Sequence, residues 1–146
     1  MPTLIKTIRV VLIVLTIFLA LSAFAGGIQL IEGTYAPPAD LLAGSPFDSY
    51  VIPGLALGLI VGGSALFAAV LLIRRSRFAL LASVSAGLII MFFEFVEVLV
   101  IGSPAGPAYA LQVFYFGLGV VIMVVSLGQW FLELQVDSMI APPISV

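Results

Sequence analysis

Cysteine and histidine are both absent from the chain. Without cysteine there is no disulfide, zinc–thiolate site, iron–sulfur cluster or catalytic thiol. Without histidine, the commonest metal and haem ligand and the usual acid–base near neutral pH are missing. Charge is scarce too: charged residues make up 8% of the chain and apolar residues 63%. That composition lies far outside the soluble globular range and belongs to integral membrane proteins. No phosphate loop, dinucleotide fingerprint, zinc motif or nucleophile elbow occurs. Gly62-Gly63 and Gly117-Leu118-Gly119 fall inside apolar runs and not at strand–helix turns. Neither a cofactor, a metal nor a nucleic-acid partner is expected. Any chemistry is left to carboxylates, tyrosines, hydroxyls, amides and backbone.

What the chain does have is four apolar runs, each about the 20 residues that a spanning helix needs. They cover 10–31, 50–73, 78–101 and 109–132. The connectors 32–49 and 102–108 are rich in Pro and Gly, and the connector 74–77 reads RRSR. Short connectors of this kind join antiparallel neighbours. The expected fold is all-α: one transmembrane four-helix bundle over 1–146 with a tail at 133–146. The first run has a rival reading. Lys6 and Arg9, an apolar stretch and then Ala23-Phe24-Ala25 resemble a signal peptide with its cleavage site. The apolar character continues to Ile31, longer than a signal core, which favours a retained helix.

The five basic residues are Lys6, Arg9, Arg74, Arg75 and Arg77. With four spans they all fall on one side, which the positive-inside rule makes cytoplasmic. Both termini are then cytoplasmic and the Pro/Gly-rich loops face outward. Glu32, Asp40, Asp48, Glu94 and Glu97 belong to the outer half, where no Lys or Arg is available to pair with them.

Glu94 and Glu97 sit in the apolar segment IIMFFEFVEVLVIG. A spacing of three puts both on one helix face, which Ser83 and Gly87 share. Such small residues mark where membrane helices approach closely, so the acids should look into the bundle. Glu94 lies 17 residues beyond Arg77. At about 1.5 Å per residue it is roughly 25 Å into a core about 30 Å thick. Glu97 is nearer the outer boundary. Gln112 and Tyr115 open the fourth span at similar depth, with Gly119 further along, and Gln29 and Glu32 close the first. The candidate ligand or proton site is thus Glu94, Glu97, Gln112, Tyr115, Gln29 and Glu32. The plain structural alternative is a protonated Glu94 hydrogen-bonded to Gln112 as a polar staple. Ionisable groups inside a membrane are costly and point to function by default.

On the second span Gly54, Gly58 and Gly62 recur every four residues, a small-xxx-small pattern that suits internal packing or dimerisation. Ser45-Pro46-Phe47-Asp48 matches a capping box at a helix start, and Pro53 suits a first helical turn. The stretch 39–43 is expected to form a short surface turn.

The segments SPFDSYVIPGLALGLIVGG, FFEFVEVLVIG and LQVFYFGLG resemble a family of small four-span bacterial membrane proteins with no known activity. The matching positions are Ser45, Pro46, Phe47, Pro53, Gly54, Glu97, Val98, Gly102 and Gln112. Where that pattern has Trp before the acid, this chain has Phe92 or Phe93. The resemblance implies the fold and a bacterial plasma membrane, and it brings no catalytic residue with it.

The expected function is non-enzymatic: an outward-facing acidic and amide site that takes a lipid-like or cationic ligand or a partner helix. Membrane lipids, a larger membrane complex or a second copy are the expected partners. One alternative is an accessory subunit of such a complex. Another is an enzyme or proton-coupled carrier that uses the two carboxyls on a lipid-like substrate.

Overall fold

A computed structural model describes residues 2–140. The described residues form four long helices: α1 (Pro2–Glu32), α2 (Val51–Ile73), α3 (Ala79–Ile101) and α4 (Pro107–Ile140). Among the described residues there is no strand. Each helix is long and apolar enough to cross a membrane. They pack as a ring, α1 on α2, α2 on α3, α3 on α4 and α4 back on α1.

Helices α1 and α4 outrun their apolar runs. The helix α1 begins before Lys6 and Arg9. The helix α4 continues past Glu133 through Leu134, Gln135 and Val136, which have no Gly or Pro among them to stop it. Of the tail expected at 133–146, residues 141–146 lie outside the described residues.

Helix α2 is not uniform. Its middle, Ala56–Gly62, winds as a π-helix between α-helical Val51–Leu55 and Gly63–Ile73. Pro53 sits in the first turn, where its missing N–H costs no helical bond. The capping box at Ser45 is not formed. The helix starts at Val51, and the Ser45 hydroxyl instead accepts from the Phe47 N–H at 3.2 Å. The short surface turn is a 3₁₀ helix, Ala39–Leu42.

The RRSR connector closes α2 with a Schellman pattern. Ser76 N–H donates to the Leu71 carbonyl at 3.0 Å and Arg75 N–H to Leu72 at 3.2 Å. Arg75 takes φ +53°, a position that ordinarily favours glycine.

The core has a central layer and two ends. Leu19, Ala23, Ala65, Ala86, Ile90 and Ile122 belong to the centre. Leu12, Leu72, Ala79 and Leu80 fill one end, and Leu42, Tyr50 and Ile101 the other. Lipid tails are as apolar as leucine, so close packing and internal hydrogen bonds hold such helices together. Two reciprocal glycine pairs do this here. A Cβ added at Gly87 would lie 2.7 Å from the Gly119 carbonyl oxygen, and one at Gly119 would lie 2.7 Å from that of Gly87. Gly27 and Gly54 stand in the same relation across α1 and α2, at 2.6 and 2.7 Å. Gly62 rests against the Phe24 ring. Gly58 differs: a Cβ there meets nothing within 4 Å, and only its backbone lies against Gly27. Buried hydroxyls are satisfied within their own helices: Thr16 donates to Leu12 at 2.7 Å, Ser83 to Ala79 at 2.9 Å and Ser126 to Ile122 at 2.7 Å.

Candidate functional site

The two glutamates have different surroundings. Glu94 is 5% exposed, and none of the side-chain hydrogen bonds found among the described residues includes it. Glu97, one turn on, is half-buried, and its Oε1 accepts from Gln112 Nε2 at 3.1 Å. The amide therefore pairs with Glu97 and not with Glu94, as the staple reading would have it. The same Nε2 donates to the Gly102 carbonyl at 3.0 Å. That carbonyl is turned toward α4 where α3 ends, at a glycine with φ +71°. A backbone carbonyl only accepts, so the amide nitrogen must face it and the orientation of Gln112 is fixed. Gln112 is 4% exposed, and its Oε1 has no partner among the described residues.

The other candidates lie apart. Gln29 and Glu32 are exposed at the end of α1. Tyr115 is half-buried, packs against the central core and meets Phe114 edge-on with ring centres 5.1 Å apart. Neither α1 residue nor Tyr115 hydrogen-bonds to a glutamate among the described residues. Gly87 and Gly119 serve the contact between α3 and α4, and Ser83 is buried with its hydroxyl bonded within α3.

Beside Glu97 is a cavity of about 500 Å³ between α2 and α3. Ala56, Ile60 and Val61 line it from the π segment of α2, and Phe93, Val96 and Glu97 from α3. The connector between α1 and α2 folds over one end through Pro37, Leu42 and Phe47. Its rim lies on the outside of the bundle: Ile52 is 59% exposed, Leu88 49% and Phe92 68%. Glu97 and Tyr50 carry the only polar side-chain groups of the lining. The Tyr50 hydroxyl donates to the Pro38 carbonyl at 3.2 Å. Burial raises the Tyr50 pKa above its ordinary value, with smaller contributions from Glu97 and Asp40. Glu97 thus sits at a corner, tied to α4 through Gln112 and lining the cavity.

A second polar cluster lies at the opposite end of α4. Gln129, fully buried, donates through Nε2 to Glu133 Oε1 at 2.8 Å. Arg9 forms an ion pair with the same oxygen at 3.2 Å. The sequence reading passed over Gln129. Its signal was the spacing of four to Glu133, which places the two on one helix face. The cavity had no comparable signal, because it depends on how the connector 33–50 folds back.

No protein family, curated protein or solved structure matches the chain. The family resemblance of the sequence segments therefore adds nothing to the reading of the site, which rests on geometry and chemistry.

Proposed function

We propose that the protein is a non-enzymatic membrane protein that binds an amphiphile in the groove between α2 and α3. The bundle would have antiparallel neighbours and both termini on the cytoplasmic side of a bacterial plasma membrane. The pairings of Gly87 with Gly119 and of Glu97 with Gln112 support that order, and the basic residues support that side.

One observation carries the reading. A cavity of about 500 Å³ is within the roughly 300–1,000 Å³ of small-molecule sites, which are mostly apolar with a few placed polar groups. This one is apolar except for Glu97 and Tyr50, and its rim is exposed where lipid would lie. That shape suits a tail in the groove and a polar head at Glu97.

The accessory-subunit alternative called for an exposed small-residue face. Gly54, Gly62, Gly87 and Gly119 are turned into the bundle, and Gly58 is buried by its backbone against Gly27, which favours the groove. Catalysis by the two carboxyls called for both to face one pocket. Glu97 lines the cavity and Glu94 does not, which favours binding.

Native mass spectrometry of the protein taken from its own membranes in mild detergent tests the proposal. The expected result is a monomer or homodimer carrying a bound small-molecule mass that Ala56→Trp, which fills the groove, removes. A bound mass unchanged by Ala56→Trp, or a larger hetero-assembly without one, would contradict it.

A further inference from the structure

The groove's one unfilled polar group specifies the head group. Glu97 Oε1 is taken by Gln112, and no hydrogen bond to its other oxygen occurs among the described residues. Gln112 Oε1 is buried and unpartnered among the described residues as well, but Gln112 does not line the cavity. The open oxygen of Glu97 is an acceptor. The one hydroxyl of the lining, on Tyr50, already donates to Pro38. The polar side chains of the lining therefore offer an open acceptor on Glu97 and no free donor. A donor that is also charged makes the stronger bond to a carboxylate.

Charge points the same way. The sequence places Glu32, Asp40 and Asp48 on this half as well, and all five Lys and Arg residues elsewhere. An anionic head would meet a carboxylate with no cation near it, whereas a cationic head meets its complement. Phe93 in the wall and Phe92 at the rim add ring faces that attract a cation.

From these atoms we infer that the occupant is an amphiphile with a primary ammonium head. This rests on the groove reading above. The ammonium donates to the free oxygen of Glu97, Gln112 holds that carboxylate in place, and the tail lies between α2 and α3. A trimethylammonium head carries the same charge but has no N–H to give, so it satisfies the charge and leaves the acceptor unfilled.

The test uses four probes with one tail: hexadecylamine, hexadecyltrimethylammonium, hexadecanol and hexadecanoic acid. Their binding to the purified full chain in maltoside micelles at neutral pH is measured against Ala56→Phe and Val96→Phe, two independent groove-filling variants that correct for uptake by the micelle. The amine is expected to bind at least tenfold tighter than the alcohol, with trimethylammonium between them and the acid weakest. Glu97→Gln keeps the shape and an acceptor for Gln112. It should bring the amine down to the alcohol and leave the alcohol unchanged.

Alcohol or acid binding as tightly as the amine would overturn the head-group assignment, as would an amine preference that survives Glu97→Gln. Trimethylammonium equal to the amine would overturn the need for N–H donors. In each of those cases the groove reading stands. If neither groove-filling variant changes the binding of any probe, the groove reading itself falls, and the head-group assignment with it.

Discussion

Gln112 holds Glu97 by one oxygen, Nε2 to Oε1 at 3.1 Å, while the same nitrogen is anchored to the Gly102 carbonyl at 3.0 Å. The amide thus ties the start of α4 to the end of α3 and fixes the carboxylate at the edge of the cavity. Gln112→Leu removes both bonds and leaves Glu97 without its donor. The expected loss is about 1–3 kcal/mol, read by denaturant titration in detergent. Glu97→Gln still offers an oxygen to Gln112 and should cost less than about 1 kcal/mol. Equal losses would mean that this pair does not hold the helices.

Glu94 should distinguish charge from size. It is buried, with no cation against it among the described residues. Glu94→Gln keeps shape and polarity and should be mild. Glu94→Lys puts an unpaired ammonium in the same place and should abolish the folded, monodisperse protein on size-exclusion chromatography. Equal tolerance of the two would contradict the buried position.

The glycines make a paired prediction. Gly119→Ala puts a Cβ 2.7 Å from the Gly87 carbonyl oxygen and against Met91 and Ile90, so α3 and α4 must separate. Overpacking of this kind costs about 1–3 kcal/mol. Gly58→Ala meets nothing within 4 Å and should be neutral or stabilising, since Ala is the better helix former. Thermal unfolding of the two variants in one detergent checks the order.

Arg75 occupies a left-handed position at the end of α2. Arg75→Gly should relieve that conformation and raise stability by roughly 1 kcal/mol. The pairing of Ser76 with Leu71 should survive, seen as unchanged amide exchange at Ser76. A fall in stability would show that the Arg75 side chain matters more than its backbone.

Topology is open to a direct check. Cysteines placed at Ala43 and Ser103, both exposed on the connectors read as outer, should react with an impermeant thiol reagent in intact cells. One at Ser76 should not. Ala43 is preferable to its neighbour Gly44, whose φ of +84° would strain a side chain. The reverse labelling would overturn the assignment of sides.

Much of this fold is written in the apolar runs, because a membrane helix must be long, apolar and self-satisfied in its hydrogen bonds. The glycines were readable as contact points for the same reason, although Gly27 was hidden in a stretch that doubles as a signal-peptide pattern. That Gly58 is not sterically required does not follow from its spacing, since it depends on how the π segment turns its side-chain direction. The site was legible in part. Gln112 stood out as an amide at the depth of the acids, yet spacing did not tell which acid it meets. A helix-face argument treats Glu94 and Glu97 alike. What separates them is the end of α3: the turn at Gly102 presents a carbonyl to Gln112 and brings the amide level with Glu97. Gln29 and Glu32 were read by depth alone, and depth does not tell which way a helix face points.

The central claim is that an amphiphile, and not a protein, occupies the groove between α2 and α3. The most direct measurement replaces Phe92, at the rim, with a photoactivatable benzoylphenylalanine and irradiates intact membranes. The account predicts a crosslinked product of lipid-sized added mass that is lost when Ala56→Trp fills the groove. A protein-sized adduct, or a lipid adduct indifferent to Ala56→Trp, would contradict it.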